Sequence, residues 1–199
     1  MKRSPNTLGP LLGFHGCDRE VGEAVLAGKT SLQPSKNDYD WLGSGIYFWV
    51  DSSERGMDWA QEQSARQAKQ SGTRMNEPFV IGAFIYPGLC LNLTDYGVGP
   101  QLVNAYSVLS EAFKKAGTPL PKNTRRSSGV YLKRNLDCAV INMVHSLREE
   151  NHEERYQTVF GMFEEGGKLY RNAGFRKKTH VQIAVIDTVC ILGYFRVNT

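Results

Sequence analysis

Apolar residues fall along this chain in short strand-like runs separated by a few stripes at helical spacing. Residues 1–10 read as a loose arm. Residues 11–14 are apolar and end at His15 and Gly16, which predicts a short strand. Residues 19–27 carry Val21, Ala24 and Val25 at helical spacing and stop at Gly28, a residue suited to a helix C-cap. The stretch LQPSKNDYD, residues 32–40, is polar and turn-rich and predicts a loop. Residues 45–50 (GIYFWV) are β-branched and aromatic, hence a strand. Asp51, Ser52 and Ser53 then offer N-caps for a helix over residues 54–70, with Met57, Ala60, Ala65 and Ala68 on its less polar face. Further strands are predicted at 79–86, 90–93, 156–162, 180–186 and 190–197, and helices at 101–116 and 138–148. The basic segment 117–134 between those helices reads mainly as loop. There is no βαβ alternation, so the pattern predicts one mixed α+β domain over 1–199 rather than a Rossmann fold.

Composition changes this picture little. Of 199 residues, 41% are hydrophobic and 22% charged, which excludes general disorder. The four cysteines, Cys17, Cys90, Cys138 and Cys190, form no CxxC pair, which excludes a zinc ribbon and favours buried free thiols. No metal site is expected. No apolar run approaches the ~20 residues of a membrane helix, and the start of the sequence lacks a secretory h-region. The expectation is a cytoplasmic protein without a membrane partner. The net charge of +4 is mild, but basic residues crowd 114–134 and 171–178. Such clusters are usually solvated surface, and they also suit a polyanion such as RNA, DNA or a dinucleotide pyrophosphate.

Three strings carry candidate chemistry: GFHG (13–16), WLGSGIYF (41–48) and THVQIAVID (179–187). Singly, each has a plain structural reading: a strand-end His, a tight turn, a strand with one polar residue. The GSG is no dinucleotide fingerprint, because a strand follows it rather than a helix. In this order the strings resemble the poly(ADP-ribose) polymerase-like ADP-ribosyltransferases. That family has an early strand ending in His-Gly, then a G-x-G-[IV]-Y-F turn and strand, then a helix. Here His15-Gly16, Gly43-Ser44-Gly45-Ile46-Tyr47-Phe48 and the helix from Glu54 match. A late strand of the family reads roughly E-Y-x-V-Y-D. Aligning its Asp on Asp187 puts Gln182 where the Glu stands, so the His-Tyr-Glu set becomes His15, Tyr47 and Gln182. The resemblance covers the two ends of the chain and leaves 96–155 unmatched.

The resemblance implies the ADP-ribosyltransferase fold: two packed, mainly antiparallel β-sheets with flanking helices and a cleft for NAD, the substrate. His15 would bond a ribose hydroxyl of the adenosine half, and Gly16 would grip the nicotinamide carboxamide through its backbone. Tyr47 would stack on the nicotinamide ring. Trp59 would supply the opposite face or serve as a core aromatic. Ser44 and Arg55 are further candidates beside the carboxamide and pyrophosphate, and Gly45 belongs to the same cofactor-binding turn. A separation of Tyr47 from His15 in the fold would defeat the assignment.

Gln182 can form hydrogen bonds but carries no charge and cannot act as a base. Three explanations stand open: the acceptor needs no deprotonation here, another carboxylate supplies it, or the domain binds NAD without turnover. Glu164 and Glu165 are the candidate carboxylates, Glu165 foremost; the alternative for the pair is a solvated loop. Gln182 favours mono-ADP-ribosylation over chain elongation. The acceptor is expected to be a nucleic acid (RNA ahead of DNA) rather than protein, with Lys122–Arg134 tracking phosphates and Tyr131 stacking on a base. Resemblance alone suggests a stand-alone toxin or phage-defence enzyme with an antitoxin partner. The competing expectations are a non-catalytic NAD module, an NAD glycohydrolase, and a nucleic-acid-binding protein that merely shares the strings.

Overall fold

A computed structural model describes residues 8–67, 77–125 and 131–198. Parts of the sequence reading lie outside those residues: the start of the arm, the helix end at 68–70, the middle of the basic segment, and the Tyr131 side chain. The described residues form an α+β structure. It has strands β1 (Leu11–Asp18), β2 (Ile46–Val50), β3 (Pro78–Ile85), β4 (Cys90–Asn92), β5 (Asn123–Arg125), β6 (Tyr131–Arg134), β7 (Thr158–Phe163), β8 (His180–Val185) and β9 (Ile191–Arg196). The helices are α1 (Arg19–Leu26), α2 (Ser53–Gln67), α3 (Gly99–Lys115) and α4 (Asn135–Glu150).

The local chemistry of the helix ends accounts for their boundaries. The Asp18 carboxylate accepts the Glu20 N–H at the start of α1, and Gly28 adopts φ +67° just past its end. Ser52 Oγ accepts the Arg55 N–H to open α2. Strand β1 runs on through His15 and Gly16 to Asp18, correcting the expectation that they end it. Within the segment read mainly as loop at 117–134, β5 and β6 pair as an antiparallel ribbon.

Seven strands join in one sheet of order β4-β7-β8-β2-β1-β3-β9, and β5-β6 stand apart as a two-stranded ribbon. The expected pair of packed sheets is therefore, among the described residues, a single continuous sheet. All its pairings are antiparallel except β4 with β7. Its continuity depends on a narrow seam: β1 and β2 share only the pairs Gly13↔Val50 and Phe14↔Trp49, whereas β1 and β3 pair along their full length. On one side of the seam lie β1, β3 and β9; on the other, β2, β8, β7 and β4.

Alternation along β8 and β2 divides the core in two. Ile183, Val185, Ile46 and Phe48 belong to a cluster with Val25, Phe79, Ile81 and Ile85. Ala184 and Tyr47 face the other way, towards Leu42, Leu91, Val159 and the α3–α4 residues Leu109, Val140, Ile141 and Val144. Helix α2 lies against β1 so closely that a Cβ on Gly16 would come within 2.4 Å of the Gly56 carbonyl oxygen. All four cysteines are buried and unbridged. Among the described residues no helix is long and apolar enough to cross a membrane.

The Gly16–Gly56 approach predicts a contrast between two glycines. Gly16→Ala has backbone in its way and should destabilise the protein by about 1–3 kcal/mol. Gly193→Ala on β9 meets nothing within 4 Å and should fall within about 0.5 kcal/mol of wild type. Chemical denaturation of both variants measures the difference; equal stabilities would contradict the packing.

Candidate functional site

The cleft opens where β1 and β2 part. The Asp51 N–H donates to the Leu12 carbonyl (2.9 Å), and Phe14 faces Trp49 two residues further on. Continued in step, the ladder would next join Gly16 to Tyr47. Instead the Tyr47 carbonyl accepts a hydrogen bond from His15 Nδ1 at 2.8 Å. The side chain of one strand has taken the acceptor its own backbone would have used. Strand geometry turns the N–H and C=O of Leu12, Phe14 and Gly16 to one side, so Gly16 presents both backbone groups to the gap.

A carbonyl only accepts, so His15 Nδ1 carries the proton and Nε2 of the neutral ring is an acceptor. Burial lowers the His15 pKa and keeps the ring neutral, although the bond to Tyr47 pulls the other way. The Tyr47 hydroxyl donates to the Gly43 carbonyl (2.6 Å) and accepts the Leu42 N–H (2.8 Å). Burial, with Asp40 nearby, raises its pKa. The hydroxyl is thus fully engaged in the 41–45 turn, and the ring is the part of Tyr47 left for a ligand. Gly43 has φ +74°, and a Cβ on it would lie 2.7 Å from Asn142 Oδ1. That oxygen accepts the Ser44 N–H at 3.1 Å, so α4 anchors the turn from behind.

The cleft measures about 690 Å³, within the ~300–1,000 Å³ of small-molecule sites. Of the residues singled out in the sequence, His15, Gly45, Tyr47, Arg55, Trp59, Glu165 and Gln182 line it. Gly16 and Ser44 are not among its lining residues. Ser44 turns its backbone towards α4. Gly16 must be glycine because α2 approaches it, a different reason from the carboxamide contact expected. Gln182 is 8% exposed and lies opposite Trp49 on β2. Trp59, half-buried, reaches across from α2 to Trp49, ring centroids 5.5 Å apart, and edges the cleft; it belongs to neither core cluster.

The two candidate carboxylates separate. Glu164 is 61% exposed and pairs with Arg176, as a solvated loop residue does. Glu165 is 17% exposed and turns inward, where its carboxylate accepts from Arg55 Nη2 at 2.7 Å. Arg55 also reaches Asp58 at 3.2 Å. Lys178 binds Asp58 (2.7 Å) and Glu62 (2.5 Å), and Arg66 also pairs with Glu62 at 3.4 Å. Glu165, Arg55, Asp58, Lys178, Glu62 and Arg66 form a chain of alternating charge that fastens the β7–β8 segment to α2.

Sequence reasoning missed His180, although its i, i+2 spacing from Gln182 puts both on one face of β8. Its Nδ1 donates to the Lys178 carbonyl (2.7 Å), and burial lowers its pKa. The ring stacks on Trp41 at 5.8 Å, and the Arg134 guanidinium lies 4.5 Å from the Trp41 ring. Four residues lining the cleft have a buried polar atom with no hydrogen-bond partner: Asp40 Oδ2, Trp49 Nε1, Arg55 Nε and His180 Nε2. Such an atom costs about 1–3 kcal/mol, and half of those found among the described residues lie around this one cleft.

Two predictions follow from this chemistry. Tyr47→Phe keeps the ring but strands the Leu42 N–H and the Gly43 carbonyl, and should lower stability by about 1–3 kcal/mol in denaturant melts; an unchanged midpoint would contradict the anchoring role. Burial depresses His15, His180 and His145, the last to about 4. Below the ordinary value of 6.5 the unfolded chain therefore binds more protons than the folded one. Stability should fall as pH drops from about 6.5 towards 5, and His145→Gln should lessen the fall. A melting temperature flat across that interval would contradict it. No protein-family model, curated protein or solved structure matches the chain, so the reading of the cleft rests on its own residues.

Proposed function

We propose that the chain has an ADP-ribosyltransferase-like fold, its two strand groups joined at the β1–β2 seam, and is a mono-ADP-ribosyltransferase that moves ADP-ribose from NAD to a macromolecular acceptor. The observation that carries this reading is the convergence of His15, Tyr47 and Gln182 on one cleft, from strands far apart in sequence. Their states suit the task. Neutral His15 offers Nε2 to a hydroxyl of the adenosine ribose. Gly16, facing the gap in the ladder, offers an N–H and a C=O to a carboxamide, which needs one of each. The Tyr47 ring gives the nicotinamide a stacking face.

In this reading the ribose–nicotinamide bond breaks and nicotinamide leaves neutral. The ribose carbon passes through an oxocarbenium-like state and bonds to the acceptor oxygen or nitrogen. Binding in a fixed pose supplies much of the rate. Gln182 holds a ribose hydroxyl through its amide. The acceptor's proton goes to a base, and Glu165 is the carboxylate in the cleft suited to take it. Nucleic acid is the favoured acceptor: Lys133 and Tyr39 both line the cleft, with Nζ 5.3 Å from the ring, pairing a phosphate contact with a stacking surface.

The test is incubation with labelled NAD and, separately, single-stranded RNA, DNA, protein extract or buffer, following nicotinamide release and macromolecular label. Label should appear on nucleic acid. Tyr47→Ala should cut transfer about tenfold or more, Gln182→Ala should lower it, and Glu165→Gln should cut it about 10²-fold or more. Nicotinamide release without labelled acceptor would make the protein a glycohydrolase. Binding of NAD without any release would make it a non-catalytic module, the reading that uncharged Gln182 favours.

A further inference from the structure

The charge chain along α2 has a feature that its role as a fastener does not require. Arg55, Asp58, Lys178 and Glu62 each have two partners within the chain, whereas Glu165, at one end of it and lining the cleft, has one. Among the described residues its only cationic partner is Arg55; His180 Nδ1 is 3.8 Å away, on a ring that burial disfavours protonating. Asp58, the other carboxylate on Arg55, is also held by Lys178 at 2.7 Å. Arg55 is the cleft's most enclosed cation, its side chain 10% exposed and its guanidinium 5.6 Å from the Trp49 ring. Both of its charge-bearing arms are occupied by carboxylates, so an incoming anion meets a neutralised cation.

We propose that the Arg55–Glu165 pair is an exchangeable latch: a diphosphate entering the cleft takes over the Arg55 guanidinium and sets the Glu165 carboxylate free. The proposal rests on the reading of the cleft as an NAD site and adds the order of events within it. A guanidinium binds a phosphate in the same two-pronged way as a carboxylate, so the exchange swaps one charge-assisted contact for another. Glu165 is the partner that yields, because Asp58 keeps Lys178 and with it a reason to stay on α2. Until the diphosphate arrives, the carboxylate is held on the Arg55 guanidinium and is not free to turn to an acceptor. Afterwards it lies in the cleft with no cation on it, able to take the acceptor's proton. The dinucleotide thus arms the base, and an acceptor arriving first meets an unarmed site.

Affinity of the full-length protein for ADP and for adenosine, measured by titration calorimetry, tests the latch. Glu165→Gln removes the competitor and should bind ADP roughly fivefold or more tightly than wild type. Arg55→Gln should bind ADP more weakly. Glu164→Gln, on the exposed neighbour, should match wild type. Adenosine, which carries no phosphate, should bind the wild-type and Glu165→Gln proteins equally. Glu165→Ala, read in the same way, serves if the Gln variant fails to fold. ADP binding no tighter in the Glu165 variants, or adenosine tightened as much as ADP, would overturn the latch and leave the NAD reading in place. Failure of wild type to bind ADP and NAD at all would bring down the NAD reading and the latch with it.

Discussion

A single hydrogen bond, from His15 Nδ1 to the Tyr47 carbonyl, governs how the rest of this structure is used. Two neighbouring strands begin a regular antiparallel ladder and then separate, because an imidazole occupies the acceptor that the next backbone pair would need. The separation leaves the Gly16 backbone groups facing a gap, sets the tautomer of His15, and opens the sheet on the face where Tyr47, Trp49, His180 and Gln182 project. A continuous ladder would close that gap and turn the site into ordinary sheet.

The surrounding elements hold the parted strands in position. Helix α2 closes one side, its Gly56 backbone pressed against Gly16. Helix α4 holds the 41–45 turn through Asn142, and the turn in turn ties down the Tyr47 hydroxyl. The β7–β8 segment is pinned to α2 by alternating charges. Each support comes from a different part of the chain, so the cleft is shaped by the whole fold rather than by one loop. The orphan polar atoms of Asp40, Trp49, Arg55 and His180 are tolerated because those supports prevent the walls from collapsing onto one another.

Local features of this arrangement were legible in the sequence. The strand at 45–50, the helix opened by Ser52 and the stop at Gly28 follow from side-chain period, capping chemistry and the freedom of glycine. The strings around His15, Tyr47 and Gln182 identified residues that do meet in one cleft. Features that depend on long-range contacts were not legible. Nothing near Gly16 announces that Gly56 will press against it, and Arg55 and Glu165 are separated by 110 positions. The continuity of the sheet turns on two residue pairs at the seam, too few to leave a pattern. His180 was within reach, since strand alternation places it beside Gln182, but a buried His reads as core until its unpartnered nitrogen is seen facing a cleft-lining neighbourhood.

The central claim, that the gap between β1 and β2 is built to take a dinucleotide, is tested most directly by a crystal structure with a non-hydrolysable NAD analogue. The account predicts the nicotinamide ring against Tyr47, its carboxamide on the Gly16 backbone, and a ribose hydroxyl within hydrogen-bonding distance of His15 Nε2. An analogue bound elsewhere, or a cleft whose strands close the ladder between Gly16 and Tyr47 when the analogue is present, would contradict it.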